Sequence, residues 1–167
     1  MKAKWKMAVT PAILLTIGMV AASGRVALAQ ASTTVDHYSQ TDLEGMEKAL
    51  GQKTDASGLA TETLKKYSSD YTMLAFRSQD GKAELHEKFA DFYFVLAGNA
   101  TVVAGGQMAN PTTISPGEVR GDSVQGGTST KLKAGDVVHI PANIPHQLLV
   151  AKGAPFKYFI IKVPETN

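Results

Sequence analysis

The sequence predicts an all-β fold, a small sandwich or barrel behind a short helical stretch. Beyond Ser69, short runs rich in Val, Ile, Phe, Tyr and Thr recur at close intervals, separated by Gly- and Pro-containing turns. The 167 residues include no cysteine, so burial must hold the fold together, without disulfides or thiolate–metal bonds. About 138 residues follow position 29, enough for one domain with an adequate core. No internal repeat suggests a solenoid or propeller.

The first 29 residues read as an export signal. Lys2, Lys4 and Lys6 precede the apolar run "MAVTPAILLTIGMVAA", and small Ala27 and Ala29 set the spacing for cleavage after Ala29. Thr10, Pro11, Thr16 and Gly18 interrupt that run, whereas a spanning helix wants about 20 predominantly apolar residues. The expected location is therefore secreted or periplasmic. The leader holds Lys2, Lys4, Lys6 and Arg25 and no acid, so of 17 basic and 15 acidic residues the mature chain keeps 13 and 15. This mildly acidic body gives no electrostatic basis for binding nucleic acid, or a membrane after the leader is cleaved.

Gln30 to Tyr38 is a polar start. "TDLEGMEKAL" predicts a helix, with Thr41 as cap, Glu44 three residues on, and Leu43, Met46 and Leu50 as its apolar stripe. Gly51 ends it. "GLATETLKKY" predicts a second, weaker helix anchored by Leu59 and Leu64, so that residues 30–68 form a helical extension covering a sheet. The barrel then occupies 69–167. "YTMLAF" to Arg77, "KAELHE", "DFYFVLAG" and "ATVVAGG" are its first strands, with "SQDG" as a turn. Residues 106–130 read as a Pro/Gly/Ser/Thr-rich insertion, a lid, interface arm or disordered segment, with "EVRGDSV" its one strand candidate. "STKLKAGDVVHIPANIPHQLLVAKGAPFKYFIIKV" resumes the strands around the turns "AGD", "PANIP" and "KGAP".

Two segments concentrate polar side chains. In "GKAELHEKFADFYFVLAG", Glu84 and His86 are one residue apart and share a strand face, "EKFA" permits a turn, and Asp91 opens the next strand. In "GDVVHIPANIPHQ", a strand climbs to a Pro-flanked turn and returns as a hairpin, leaving His146 at the start of the descending strand. Two imidazoles and two carboxylates aimed into one interior suit a divalent ion. Lys88 is a possible competitor, an ammonium able to pair with Glu84 or Asp91. His139 reads as structural, or at most as support for a ligand, and His37 carries no signal. Glu118 and Arg120 are expected to pair with each other or with a neighbouring subunit.

These segments resemble the paired motifs of the cupin superfamily, small jelly-roll β-barrels. The first family motif runs Gly, five residues, His-x-His, three or four residues, Glu, six residues, Gly. His86, Asp91 and Gly98 fall at its second histidine, its glutamate and its last glycine, and Glu84 stands where the first histidine would be. The second motif runs Gly, five residues, Pro-x-Gly, two residues, His, three residues, Asn. Gly135, Pro141, Asn143 and His146 match it, with Asn143 for glycine and Val150 for the final Asn. The resemblance, over about Tyr71 to Val163, implies one divalent metal (manganese, iron or zinc) held by Glu84, His86, Asp91 and His146. It implies a small-molecule ligand, with Arg77 and Tyr93 as its contacts, and homodimers are frequent in the family. A metal-binding cupin acting on or binding a small oxygenated molecule is the leading expectation. The alternatives are a metal-free pocket for a sugar or organic acid and a self-associating structural barrel.

Overall fold

The computed structural model describes residues 35–151 and 153–165; the expected export signal and its cleavage point lie outside them. In chain order the elements are α1 (Gln40–Gly51), β1 (Leu59–Lys66), β2 (Tyr71–Arg77), β3 (Ala83–His86), β4 (Phe89–Ala97), β5 (Asn99–Ala104) and β6 (Gln107–Met108). There follow β7 (Thr112–Ser115), β8 (Glu118–Gly121), β9 (Val124–Gln125), β10 (Thr128–Lys133), β11 (Val137–Ile140), β12 (His146–Leu149) and β13 (Phe156–Pro164). A five-stranded sheet runs β1-β2-β13-β4-β11, a six-stranded sheet runs β10-β5-β12-β3-β8-β7, and β6 pairs with β9. This is a jelly roll.

Strand alternation builds the interior. Tyr93 and Val95 of β4, Phe156, Tyr158 and Ile160 of β13, Val102 of β5 and Leu148 of β12 join one buried core. Each large apolar side chain contributes about 1.5–3 kcal/mol when fully buried. A second cluster lies between α1 and β1–β2, where Leu50, Ala60 and Leu74 pack with Leu43, Met46, Leu64 and Phe76. The helix starts earlier than Thr41. Ser39 caps it, its hydroxyl accepting from Asp42 N–H at 3.2 Å while the Asp42 carboxylate accepts from Ser39 N–H at 3.0 Å. Glu44, the expected capping partner, instead accepts from Gln40 at 2.8 Å.

Three other expectations are corrected. The second helix is β1, paired antiparallel along β2, with a register shift between Thr63 and Lys65. Ala60 and Leu64 imitate helical spacing, but they face α1 while Leu59 and Thr61 border the barrel cavity. Pairing along β2 and the packing of Ala60 and Leu64 against α1 override a weak helical pattern. The 106–130 segment is built of strands: β8 pairs with β3 and β7, and Gln147 ties β9 down by accepting from Val124 N–H at 3.1 Å. Short strands with polar outer faces leave little hydrophobic signal.

The third correction decides the site. Neither polar segment is a hairpin, because β3 and β4 lie in different sheets, as do β11 and β12. Each segment is a corner that carries the chain from one sheet to the other. The corners are joined: Asn143 N–H donates to His86 O at 2.8 Å, and the Asn143 side-chain amide donates to Glu87 O at 3.3 Å. Asn143 occupies the left-handed region at φ 64°. This is the conformation that glycine adopts most freely and Asn tolerates, so Asn can stand at the motif's glycine position.

Candidate metal and ligand site

The joined corners bring residues from both sheets to one cavity of about 220 Å³. Glu84 and His86 project from β3 and His146 from β12, with His146 directly opposite Glu84 in the β3–β12 pairing. Asp91 comes from β4 on the other wall. The two imidazole centroids are 5.3 Å apart. Glu84, His86 and His146 each offer a donor atom within 4.8 Å of the others.

Both imidazoles are oriented by a fixed acceptor. His86 Nδ1 lies 2.8 and 2.9 Å from the Glu118 carboxylate oxygens, and His146 Nδ1 lies 3.0 Å from Ile144 O. Carbonyls and carboxylates only accept here, so each Nδ1 carries the hydrogen and each Nε2 is turned inward. His86 Nε2 is buried with no hydrogen-bond partner among the described residues. It sits 3.4 Å from Asp91 Oδ2 and 3.6 Å from Glu84 Oε2, and His146 Nε2 sits 3.5 Å from Asp91 Oδ2. Donors about 2.0–2.2 Å from a tetrahedral ion lie about 3.3–3.6 Å apart. The residues therefore fit a divalent ion, with Glu118 in the orienting role that carboxylates play behind metal-bound histidines.

Protons occupy the same place without an ion. Burial opposes a charge on His86, but Asp91 and Glu84 outweigh it and raise the imidazole from 6.5 to about 9. Burial would raise Glu84, yet His86 and Arg120 bring it down to about 2. Burial likewise opposes charge on Asp91, and His146, His86 and Lys162 hold it well below the usual carboxylate range. Burial, with Asp91 beside it, keeps the Tyr93 phenol well above 10.

Of the four residues expected to hold metal, Glu84, His86 and Asp91 line the cavity, and His146 is buried beside them, its Nε2 3.5 Å from Asp91 Oδ2. Asp91, 1% exposed, faces the Lys162 ammonium through Oδ1 and accepts from the Tyr93 hydroxyl through Oδ2 at 3.0 Å. The competing ammonium is Lys162, not Lys88, which is exposed at the corner. Lys162 was missed in the sequence, where its strand parity with Phe156, Tyr158 and Ile160 was the available signal. Arg77 is 4% exposed and points in, its Nη2 3.7 Å from Glu84 Oε1. Tyr93 is buried, its hydroxyl between Asp91 and His146 Nε2, the latter at 3.3 Å.

Glu118 and Arg120 belong to the site although nothing in the sequence singled them out for it. They pair across strands with His86 and Glu84, and Arg120 also donates to Glu118 at 3.1 Å. The alternation of "EVR" was the available signal; its partner strand was not readable. His139 lies outside, exposed and stacked on Phe92 at 4.4 Å. His37 is exposed.

No protein-family model and no curated protein matches the sequence. Solved structures do. An uncharacterized conserved protein with a double-stranded beta-helix domain from Klebsiella pneumoniae aligns at 15% identity, TM-score 0.54, over 81% of this chain and 89% of its own. The cupin domain of Schizosaccharomyces pombe Cnp3 aligns at 9% identity, TM-score 0.50, over 68% of this chain and 71% of its own. Protein NMB1881 from Neisseria meningitidis aligns at 13% identity, TM-score 0.50, over 73% and 96%. Together with the sheet order and the two joined corners, these similarities establish that the chain has the cupin fold, the double-stranded β-helix of that superfamily.

Proposed function

We propose that this protein is an exported cupin that holds one divalent metal through Glu84, His86 and His146 and uses it to bind or act on a small oxygenated molecule. The observation that carries the reading is the pair of inward Nε2 atoms, each set by an acceptor on Nδ1, with donor atoms of Glu84, His86 and His146 all within 4.8 Å of one another. When bound, the ion supplies Lewis-acid polarisation of a ligand oxygen. The chain's own residues do the rest. Glu118 orients His86, Tyr93 bridges Asp91 and His146, and Lys162 offsets the charge of Asp91, which we assign to positioning. Nitrogen and oxygen donors without sulfur suit manganese, iron or zinc.

The test is equilibrium dialysis of the mature protein against each ion, followed by metal analysis. The wild type is expected to retain one equivalent and His86→Ala and His146→Ala essentially none; retention by both variants contradicts the assignment. Export is tested by sequencing the processed chain, whose first residue is expected to be Gln30.

One observation favours a second reading, a metal-free binding pocket. Glu84, Asp91 and Glu118 are already matched in number by Arg77, Arg120 and Lys162 around the cavity. A wild type that takes no ion in dialysis but shows ligand-dependent thermal shifts would establish it.

A further inference from the structure

We infer that the ligand is a small carboxylate anion gripped by Arg77, with Arg120 as a second cation at the rim. The inference deepens the metal reading and rests on it for the two positive charges the ligand offsets, while the grip by Arg77 stands on its own observation.

Arg77 is the last residue of β2 and is buried, yet its Nε has no hydrogen-bond partner among the described residues. The nearest carboxylate, Glu84, stands at 3.7 Å, beyond hydrogen-bond reach. The guanidinium also donates to the Tyr158 hydroxyl, which leaves Nε as the unmet donor. A buried cation with an unmet donor is costly, and a two-oxygen acceptor fits its planar fork. Gly81 makes room for it: a Cβ there would lie 2.9 Å from both Cζ and Nη1 of Arg77. Arg120 spends Nη1 on Glu118 and on Val119 O, at 3.1 and 3.0 Å, while its Nη2 lies 3.9 Å from Glu84.

Charge and shape narrow the class. Three acids and three bases around the cavity cancel, and neutral imidazoles add nothing, so a divalent ion leaves two positive charges for the ligand to offset. A neutral sugar offsets none. Met73, Tyr158 and Ile160 give the cavity an apolar wall, which a carbon skeleton covers and bare phosphate does not. At about 220 Å³ the space is below the roughly 300–1,000 Å³ of drug-sized sites, which limits the ligand to a short-chain acid.

The test is calorimetry with malonate on metal-loaded and chelator-treated protein, with inorganic phosphate and glycerol as comparators and metal content measured in parallel. Saturable malonate binding is expected, tighter than phosphate, with none for glycerol. Arg77→Met should weaken it by about tenfold or more, as loss of a charge-assisted bidentate contact does, with metal content unchanged. Gly81→Ala, which displaces the guanidinium without altering it, should weaken binding in the same direction and stands in if Arg77→Met fails to fold. Malonate binding that both variants leave intact, phosphate binding tighter than malonate, or no malonate binding by the metal-loaded wild type overturns the inference. Malonate uptake without metal defeats the metal reading alone; metal uptake without malonate defeats only this one.

Discussion

Lys162 and Asp91 show how one side chain sets the character of a site. A carboxylate 1% exposed is tolerable only with charge beside it, and Lys162 supplies that charge from the neighbouring strand. Lys162→Met is expected to cost about 3 kcal/mol in urea unfolding, the lower end for breaking a buried pair because His86 still faces Asp91. Asp91→Asn in that background should recover part of the loss. His86 makes the metal-free protein pH-dependent. Its pKa is raised from 6.5 to about 9, so the stability this contributes is full below 6.5 and lost as pH rises through about 9. Thermal melts of chelated protein from pH 6 to 10 should show that decline, absent in His86→Gln. Metal must displace the same proton, so apparent metal affinity should rise with pH up to about 9, with proton release seen as buffer-dependent binding heat.

The two corners are the elements that make the site, and the glycines at the far ends of β4 and β11, the strands that enter or leave them, carry unequal burdens. Gly98 sits at φ 83°, and a Cβ there would lie 2.2 Å from Pro155 O, a backbone atom that cannot step aside. Gly135, at φ 90°, has nothing within 4 Å of its would-be Cβ. Gly135→Ala should therefore cost only the left-handed penalty, about 1–2 kcal/mol, whereas Gly98→Ala should exceed it clearly in the same urea titration. Motif spacing made the residues of these segments legible: Gly98, Gly135, Pro141 and His146 fall at positions of the motifs the sequence resembles. The passage from sheet to sheet was not readable, because a local turn signal does not say which sheet the next strand joins. β1, β7 and β9 were not legible either. Ala60 and Leu64 fit either period until β2 is known to lie alongside, and "TTIS", fully exposed on a sheet edge, carries no burial pattern at all. Glu118 and Arg120 were missed for the same reason, since their membership depends on a cross-strand register no local pattern encodes.

At the scale of the molecule, a single closure does most of the work. β3–β4 and β11–β12 are separated by about fifty residues, yet the hydrogen bond from Asn143 to His86 O holds their corners together. That contact turns two unrelated stretches of sequence into one cavity floor, with imidazoles from the six-stranded sheet facing Asp91 and Tyr93 of the five-stranded one. The measurement that tests this most directly is zinc K-edge X-ray absorption on protein loaded with one equivalent of zinc. The account predicts nitrogen and oxygen donors at about 2.0–2.1 Å with the outer-shell scattering of two imidazoles. A shell with one imidazole or none would contradict it.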